Sequence, residues 1–357
     1  MSTPPLHWDT RALQQQLDPL LPGLSIEVVE SAVSTNTALL ERTRMALAQR
    51  APPVGPSVGP DMAPSVEPDV GPDVAPSLEP DVAPSLALAV VRRSVESAAF
   101  GRRADESPAV QPCLLVAEQQ TAGRGRQGRA WHSAPGASLT FSLVLPMQVT
   151  NWAGLSLAVG VAVADALDPR ANRDHERVHI GLKWPNDLWL MDGEGEGRKL
   201  GGILIETIAS GMSRLAVIGI GLNVRPMVVS DASAGFASLQ ELDQAATAPS
   251  VLHRLAQPLA LALRQFERTG FSGFVERFAA RDLLRGHTVR TTQPDVPEGV
   301  AQGVSLHGAL LVQTAAGLQT VTSGEVSVRR VGAPATRPPA ATTAGIAPRG
   351  VHNPQSP

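Results

Sequence analysis

A proline repeat limits where regular structure can form in this chain of 357 residues. Residues 54–85 read VGPS VGPD MAPS VEPD VGPD VAPS LEPD VAPS, which is eight tetrapeptides with proline at the third position. Proline lacks a backbone N–H and pushes the preceding residue toward extended geometry, so no helix can run through the repeat. We predict a disordered or polyproline-like insertion at about 51–89 without a catalytic role, with peptide binding as the alternative. The tail 331–357, rich in Ala, Thr, Pro and Gly, is also predicted to be disordered.

The rest of the sequence mixes two periodicities. Runs such as LLVAEQQ and SLTFSLVLP predict strands, whereas WAGLSLAVGVAVADAL and VLHRLAQPLALALRQFERTG have helical spacing. We therefore predict an α+β (mixed α/β) domain over residues 1–285, with a central mixed β-sheet and helices. After Gly286, short β-branched runs separated by glycine-containing turns predict a small β-barrel over residues 286–330.

Composition and charge exclude several classes of function. The chain carries 30 Lys and Arg against 33 Asp and Glu, which leaves no basic field for sequence-independent binding of nucleic acid. Cys113 is the single cysteine, so neither an internal disulfide nor a cysteine zinc site can form. The sequence shows no secretory signal and no apolar stretch long enough to cross a bilayer. We predict a cytoplasmic protein without a nucleic-acid or membrane partner, in which Cys113 is a small buried residue.

The first motif with chemical content is AEQQTAGRGRQGRAW at residues 117–131, directly after a predicted strand. Its three glycines allow close backbone approach, and its three arginines supply fixed donor forks for an anion. A loop of this kind suits a phosphate or an acyl phosphate. An exposed basic turn is an equally good explanation of the loop taken alone.

The second motif is KWPNDLWL followed by GRKLGGILIE, which places Lys183, Asn186, Asp187 and Lys199 near strand ends. Two lysines and a carboxylate are a plausible set for binding phosphate and Mg²⁺, because lysine is a point charge for phosphate and Asp is a hard oxygen ligand. The alternative is a polar loop that only connects two strands.

Two further segments combine strand or helix signals with ligand-binding chemistry. In VIGIGLNV, Gly219 and Gly221 could let a planar group lie against the backbone before Asn223, although a glycine there could equally mark a bulge. The tripeptide STN at residues 34–36 predicts the N-cap of the helix TALLERTRMALAQ. A helix N-terminus also offers free N–H groups to a polar ligand.

Together with GEVSVR at residues 324–329, these segments resemble the biotin protein ligase family in order and approximate spacing. The resemblance covers about residues 8–329, apart from the insertion. It implies a catalytic domain like that of class II aminoacyl-tRNA synthetases and biotin/lipoate ligases, and an SH3-like C-terminal β-barrel. It also implies two reactions: biotin and ATP, with Mg²⁺, form biotinyl-5′-AMP and pyrophosphate, and biotin then passes to a lysine of a biotin carboxyl carrier protein, for example in acetyl-CoA carboxylase.

The resemblance also implies roles for individual residues. Those that match biotin contacts are Ser34, Thr35, Asn36, Gln120, Arg124, Gly125, Arg126, Trp131 and Lys199. Those that match catalytic positions are Arg126, which retains the reactive intermediate, and Lys183, Asp187 and Lys199, with Asp187 as a candidate Mg²⁺ ligand. Those that match the ATP end are Asn186, Gly219, Gly221, Asn223, Glu325 and Arg329.

Other interpretations are weaker. Residues 175–179 spell the zinc-protease pattern H-E-x-x-H, but the alternation from Val178 onward predicts a strand rather than the helix that such a site needs. A lipoate protein ligase and a non-catalytic biotin-sensing regulator are the alternative functions. Because 33 residues precede STN, too few for a helix-turn-helix domain, we expect a ligase without repressor activity. A homodimer is left open.

Overall fold

The computed structural model describes residues 6–50, 110–169, 177–192, 197–210, 213–229, 235–322 and 328–330. The predicted insertion and tail lie outside the described residues, and so do Glu325, His175 and Glu176. The predicted strand is confirmed from His179, which begins β6, so the H-E-x-x-H pattern does not continue as a helix.

The larger part of the chain contains both helices and strands. In chain order it contains α1 (Thr10–Leu17), β1 (Ser25–Ala32), α2 (Thr35–Arg50), β2 (Cys113–Gln120), β3 (Gly123–Arg124), β4 (Ala130–Trp131), β5 (Ser138–Met147), α3 (Leu155–Leu167), β6 (His179–Lys183), β7 (Asp187–Met191), β8 (Gly197–Ser210), β9 (Ser213–Asn223), α4 (Ala248–Thr269) and α5 (Val275–Ala279). The predicted strands LLVAEQQ and SLTFSLVLP are confirmed as β2 and β5, and the two stretches with helical spacing are confirmed as α3 and α4.

Seven of the strands form one mixed sheet in the order β1-β2-β5-β9-β8-β7-β6. β1 and β2 are parallel, and the other neighbouring pairs are antiparallel. α3 is apolar on nearly all sides because it packs between this sheet and α4. α2 covers the opposite face over a smaller apolar cluster that includes Leu39, Leu115 and Val217. The mixed α/β prediction is therefore confirmed.

The C-terminal part is a five-stranded antiparallel sheet in the order β13-β12-β11-β10-β14. Its strands are β10 (Thr288–Thr291), β11 (Glu298–Val304), β12 (Leu310–Thr314), β13 (Gly317–Val321) and β14 (Val328–Arg330). Val289, Ala301 and Val312 are fully buried and belong to the main apolar cluster of the protein. This is the small all-β unit that the sequence predicted.

Three local predictions can be compared directly. α2 begins directly after Ser34, whose Oγ accepts a hydrogen bond from the Thr37 N–H at 3.4 Å, so the predicted cap is present. Cys113 begins β2 but is only half-buried, and burial raises the pKa of its thiol. In the part of the chain that the structure describes, no helix combines the length and apolar character needed to span a bilayer.

Candidate active site

The STN residues lie beside the end of β2. The parallel register of β1 and β2 pairs Ala32 with Gln120, so the chain leaves β1 next to the Gln120 side chain. Gln120 Oε1 accepts a hydrogen bond from the Thr35 N–H at 2.7 Å. Ser34, Thr35 and Asn36 are all buried. The structure thus brings together four residues that the resemblance assigned to biotin.

Ser142 in β5 completes this cluster, although no motif indicated it. Its Oγ lies 2.7 Å from Thr35 Oγ1 and 2.6 Å from Asn36 Oδ1. A hydroxyl has one proton and the Asn36 amide oxygen can only accept, so the Ser142 proton goes to Asn36, while Thr35 Oγ1 also donates to Gln120 Oε1 at 3.2 Å. The only sequence signal for Ser142 was a small polar residue within the apolar run SLTFSLVLP.

A second unpredicted residue, Glu206 in β8, connects the STN cluster to the Gly-Arg loop. Asn36 Nδ2 donates to Leu204 O at 3.1 Å and to Glu206 Oε2 at 2.9 Å. The other carboxylate oxygen of Glu206 accepts from the Arg124 guanidinium at 2.5 Å. Gly219 faces Asn36, and a Cβ at this glycine would collide with the Asn36 amide. Glu206 could have been suspected as the one carboxylate in the apolar strand GGILIETI.

The Trp131 indole lies against the backbone of Gly221. A Cβ built on Gly221 would be 2.5 Å from Trp131 Cε2. The planar group that lies against Gly221 in this structure is thus the Trp131 indole, and the predicted ATP contact of Gly221 stays a prediction. Trp131 Nε1 is buried and has no hydrogen-bond partner among the described residues.

The Gly-Arg loop folds back on itself through short strands. Gly123 and Arg124 pair with Trp131 and Ala130, and the Gly125 N–H donates to Arg129 O at 2.7 Å. This turn carries Arg126 toward the sheet. Burial lowers the pKa of Arg126, and the nearby carboxylate of Asp187 opposes that shift.

The lysine and aspartate residues of the second motif also meet. Lys199 Nζ donates to Asp187 Oδ1 at 2.7 Å, and both side chains keep some exposure, 31% and 21%. Lys183 Nζ stands 4.4 Å from the centre of the Trp189 ring. Lys183 and Asp187 are paired across the β6–β7 hairpin, so their side chains start from adjacent positions. Arg126, Asp187 and Lys199 therefore form one charged group.

Two asparagines predicted to bind ATP have structural partners. Asn186 Nδ2 donates to Ile203 O at 2.8 Å. Asn223 is buried, and its Nδ2 donates to Ala237 O at 3.0 Å and to Lys199 O at 3.3 Å. These bonds use the amide donors and fix the backbone around Lys199.

The C-terminal residues that the resemblance assigned to ATP are only partly described. Arg329 lies in β14, where its backbone pairs with Arg290. Glu325 lies outside the described residues.

A cavity of about 280 Å³ opens beside the charged group. Its wall includes Arg126 from the loop, Pro185 from the β6–β7 turn, Ile203 and Ile205 from β8, and Gly308 from the C-terminal sheet. Both parts of the chain therefore contribute to the site.

The described residues contain no group of three or more His, Cys, Asp or Glu side chains that could hold a metal ion. Asp187 alone would supply one carboxylate, and Mg²⁺ prefers six oxygen ligands. Among the described residues, Asp187 is therefore a single candidate carboxylate for Mg²⁺, and the remaining oxygen ligands would have to come from water or a bound substrate.

A mixed sheet that places a neutral polar cluster, a Gly-Arg loop and a Lys-Asp pair at one site, followed by a small antiparallel sheet, defines the class of biotin and lipoate protein ligases. Residues 102–223 match the model of the biotin/lipoate A/B protein ligase family, and residues 288–329 match that of the biotin protein ligase C-terminal domain.

Individual relatives distinguish biotin ligases from lipoate ligases within this class. The chain is 32% identical over 230 residues to the biotin--[acetyl-CoA-carboxylase] ligase of Mycobacterium tuberculosis, covering 63% of this chain and 82% of that protein. It is 31% identical to the enzyme of the same name from Paracoccus denitrificans, covering 59% of this chain and 88% of that protein. The chain belongs to the biotin protein ligase family.

Two further comparisons concern length and fold. The chain is 35% identical to the bifunctional ligase/repressor BirA of Salmonella typhimurium, and this match spans 60% of the chain and 66% of the relative, just under two thirds. The biotin protein ligase from Aquifex aeolicus in complex with biotin and ATP aligns with a TM-score of 0.52 and 30% identity, covering 61% of this chain and 89% of that one.

Proposed function

We propose that this protein is an ATP-dependent ligase that forms biotinyl-5′-AMP and transfers biotin to a lysine of a biotin carboxyl carrier protein. The observation that carries the proposal is the pairing of a buried neutral polar cluster with a charged group on the same sheet. On the side of the neutral cluster, Ser142 of β5 is paired with Gly219 of β9. Two residues further along β9, Gly221 is paired with Gly202 of β8, and Gly202 is paired with Asp187 of β7.

The neutral end suits the ring system of biotin. A ureido group is uncharged and has N–H donors and a carbonyl acceptor, so it needs partners of both kinds in a dry site. Thr35, Asn36 and Gln120 provide hydroxyl and amide groups, and all but Gln120 are buried. Trp131 supplies an apolar wall beside them.

The charged end suits the carboxylate of biotin and the α-phosphate of ATP. In the first step a carboxylate oxygen of biotin bonds to the α-phosphorus, and the bond to the β-phosphate bridging oxygen breaks to release pyrophosphate. Negative charge develops on the phosphate oxygens, where Arg126, Lys183 and Lys199 can stabilise it. Mg²⁺ would arrive with the nucleotide, and Asp187 would be its protein ligand.

In the second step the amine of the carrier lysine attacks the acyl carbon, the acyl–oxygen bond to AMP breaks, and the amine loses a proton. No side chain of the protein has to act as a nucleophile in either step, so the residues contribute by positioning and electrostatics. Asn186, Gly219, Gly221, Asn223, Glu325 and Arg329 stay predictions for the ATP end.

Lipoate ligation is the second candidate. A dithiolane ring has no N–H or carbonyl groups, so it could not exchange hydrogen bonds with the amide and hydroxyl groups of the cluster around Asn36 and Gln120. A non-catalytic biotin sensor would not need the Lys199–Asp187 pair close to Arg126. The cytoplasmic location and a homodimer stay predictions.

The test is intact-mass spectrometry of an apo biotin carrier domain incubated with the protein, ATP and Mg²⁺, with biotin or lipoate. We expect a mass increase on the carrier with biotin alone. Lys199→Gln should slow the reaction at least about 100-fold, since a charged donor at a developing anion is lost. Arg198→Gln is the matched control, because Arg198 pairs with Glu241 instead of Asp187. Labelling with lipoate, or biotin binding without labelling, would contradict the proposal.

A further inference from the structure

Trp184, between Lys183 and Pro185, connects the two parts of the chain. Its side chain is 1% exposed, and its Nε1 donates a hydrogen bond to Gly308 O at 3.0 Å. Gly308 lies in the turn between β11 and β12. The C-terminal sheet is thus bonded to the turn that precedes Asp187.

The turn around Gly308 packs closely against the backbone of Gly154. Gly308 has a φ of +76°, and a Cβ at this position would be 2.6 Å from the Gly154 Cα. Inside the turn, the Ser305 N–H donates to Ala309 O at 2.8 Å and the Gly308 N–H to Ser305 O at 2.9 Å. The carbonyl of Gly308 is therefore held on a fixed turn and faces the Trp184 indole.

A second connection lies on the other side of Lys183. The Leu182 N–H donates to Arg281 O at 2.7 Å, and the Leu283 N–H donates to Leu182 O at 3.0 Å. The segment that leads to the C-terminal sheet is therefore bonded along the edge of β6. Of the two neighbours of Lys183, Trp184 is thus bonded to the C-terminal part and Leu182 to the segment that leads to it.

We propose that Trp184 is a positioning residue, whose hydrogen bond to Gly308 fixes the C-terminal sheet against the β6–β7 turn and thereby places Lys183 and Asp187 for adenylation. Gly308 lines the same cavity as Arg126 and Pro185, so a displaced sheet would also open that wall. The effect on adenylation rests on the proposed function. The attachment itself does not depend on any activity.

The kinetic test compares Trp184→Phe with the parent. Phenylalanine keeps an aromatic ring in the buried site, but it removes the N–H donor together with part of the ring volume, and the Trp8→Phe control loses the same volume. We expect kcat/KM for ATP in biotin-dependent adenylation to fall about tenfold, with the Kd of biotin alone unchanged, because the STN cluster does not contact this turn. Trp8→Phe is the control, since Trp8 Nε1 donates to Glu118 Oε1 far from the C-terminal sheet.

A backbone pair of variants gives an independent test. Gly308→Ala adds a Cβ that strikes Gly154, whereas Gly286→Ala adds one at a φ of +80° with no atom within 4 Å. The two substitutions introduce similar left-handed strain, so only the first should reproduce the loss in kcat/KM for ATP. A parallel loss in both glycine variants would overturn the inference, as would an unchanged kcat/KM in Trp184→Phe.

Amide hydrogen exchange separates this inference from the proposed function. In Trp184→Phe, peptides covering residues 183–187 and 305–309 should exchange at least about fivefold faster, and peptides from α2 should not change. This result is expected whether or not the protein ligates biotin. An inactive parent with that exchange pattern would refute the proposed function and leave the attachment standing. Unchanged exchange in both peptides would refute the attachment.

Discussion

Replacing Ser142 with Ala tests the buried hydrogen bonds beneath the STN residues. Ser142 is 0% exposed, and its hydroxyl makes short contacts with Thr35 and Asn36. Alanine leaves Asn36 Oδ1 without its donor, because both amide hydrogens of Asn36 already point to Leu204 O and Glu206. A buried polar atom left without a partner costs about 1 to 3 kcal/mol.

For a unit of this size, about 2 kcal/mol corresponds to a fall in Tm of about 4 to 8 °C. The Kd of biotin should also rise about five- to tenfold, since Thr35 and Asn36 lose their fixed positions. Differential scanning calorimetry and isothermal titration calorimetry measure the two effects. Ser238→Ala is the control, because Ser238 is equally buried and its hydroxyl has no partner among the described residues. A Tm within 1 °C of the parent, or an equal loss in the control, would refute the reasoning.

Two other predictions follow from single residues. Gly219→Ala should weaken biotin binding at least about tenfold in a calorimetric titration, because its Cβ collides with the Asn36 amide, whereas Gly136→Ala, with open space around it, should not. Burial raises the pKa of Asp282 above the ordinary value for an aspartate, about 3.9. The neutral carboxyl group therefore stabilises the fold below about pH 3.9, and this stabilisation is lost as pH rises through the raised pKa. The free energy of unfolding, measured in urea, should therefore increase in Asp282→Asn by an amount that grows as pH rises through the raised pKa. A gain that does not depend on pH would contradict the raised pKa of Asp282.

The sequence predicted the elements of the fold because each has its own local periodicity. The long runs SLTFSLVLP and RLAVIGIGLNV are buried strands at the centre of the sheet, and α3 follows from an apolar run of helical length. The motifs also indicated the charged group, and in the structure Arg126, Asp187 and Lys199 lie close together. These features depend on short segments that carry their own signal.

The residues that the sequence did not indicate depend on pairings between distant segments. Ser142 and Glu206 reach Asn36 from β5 and β8, and Trp184 reaches Gly308 across 124 positions. No periodicity encodes which strands are neighbours. For Asn223, the predicted ATP contact stays a prediction, and the structure adds that its Nδ2 donates to Lys199 O and Ala237 O.

The cluster around Asn36 is more strongly desolvated than the charged group around Lys199. This difference fits a substrate with an uncharged ring at one end and a carboxylate at the other. The neutral cluster around Asn36 is buried and its groups bond to one another, since an unpaired polar group there would be costly. Lys199 and Asp187 keep part of their surface in water, which spares the larger penalty of burying charges. Glu206 is the exception at the neutral end, and its charge is balanced by Arg124 from the Gly-Arg loop. One carboxylate oxygen of Glu206 thus accepts from Arg124 and the other accepts from Asn36. The Arg124–Glu206 pair therefore couples the position of the loop to the residues that would bind the ring of biotin.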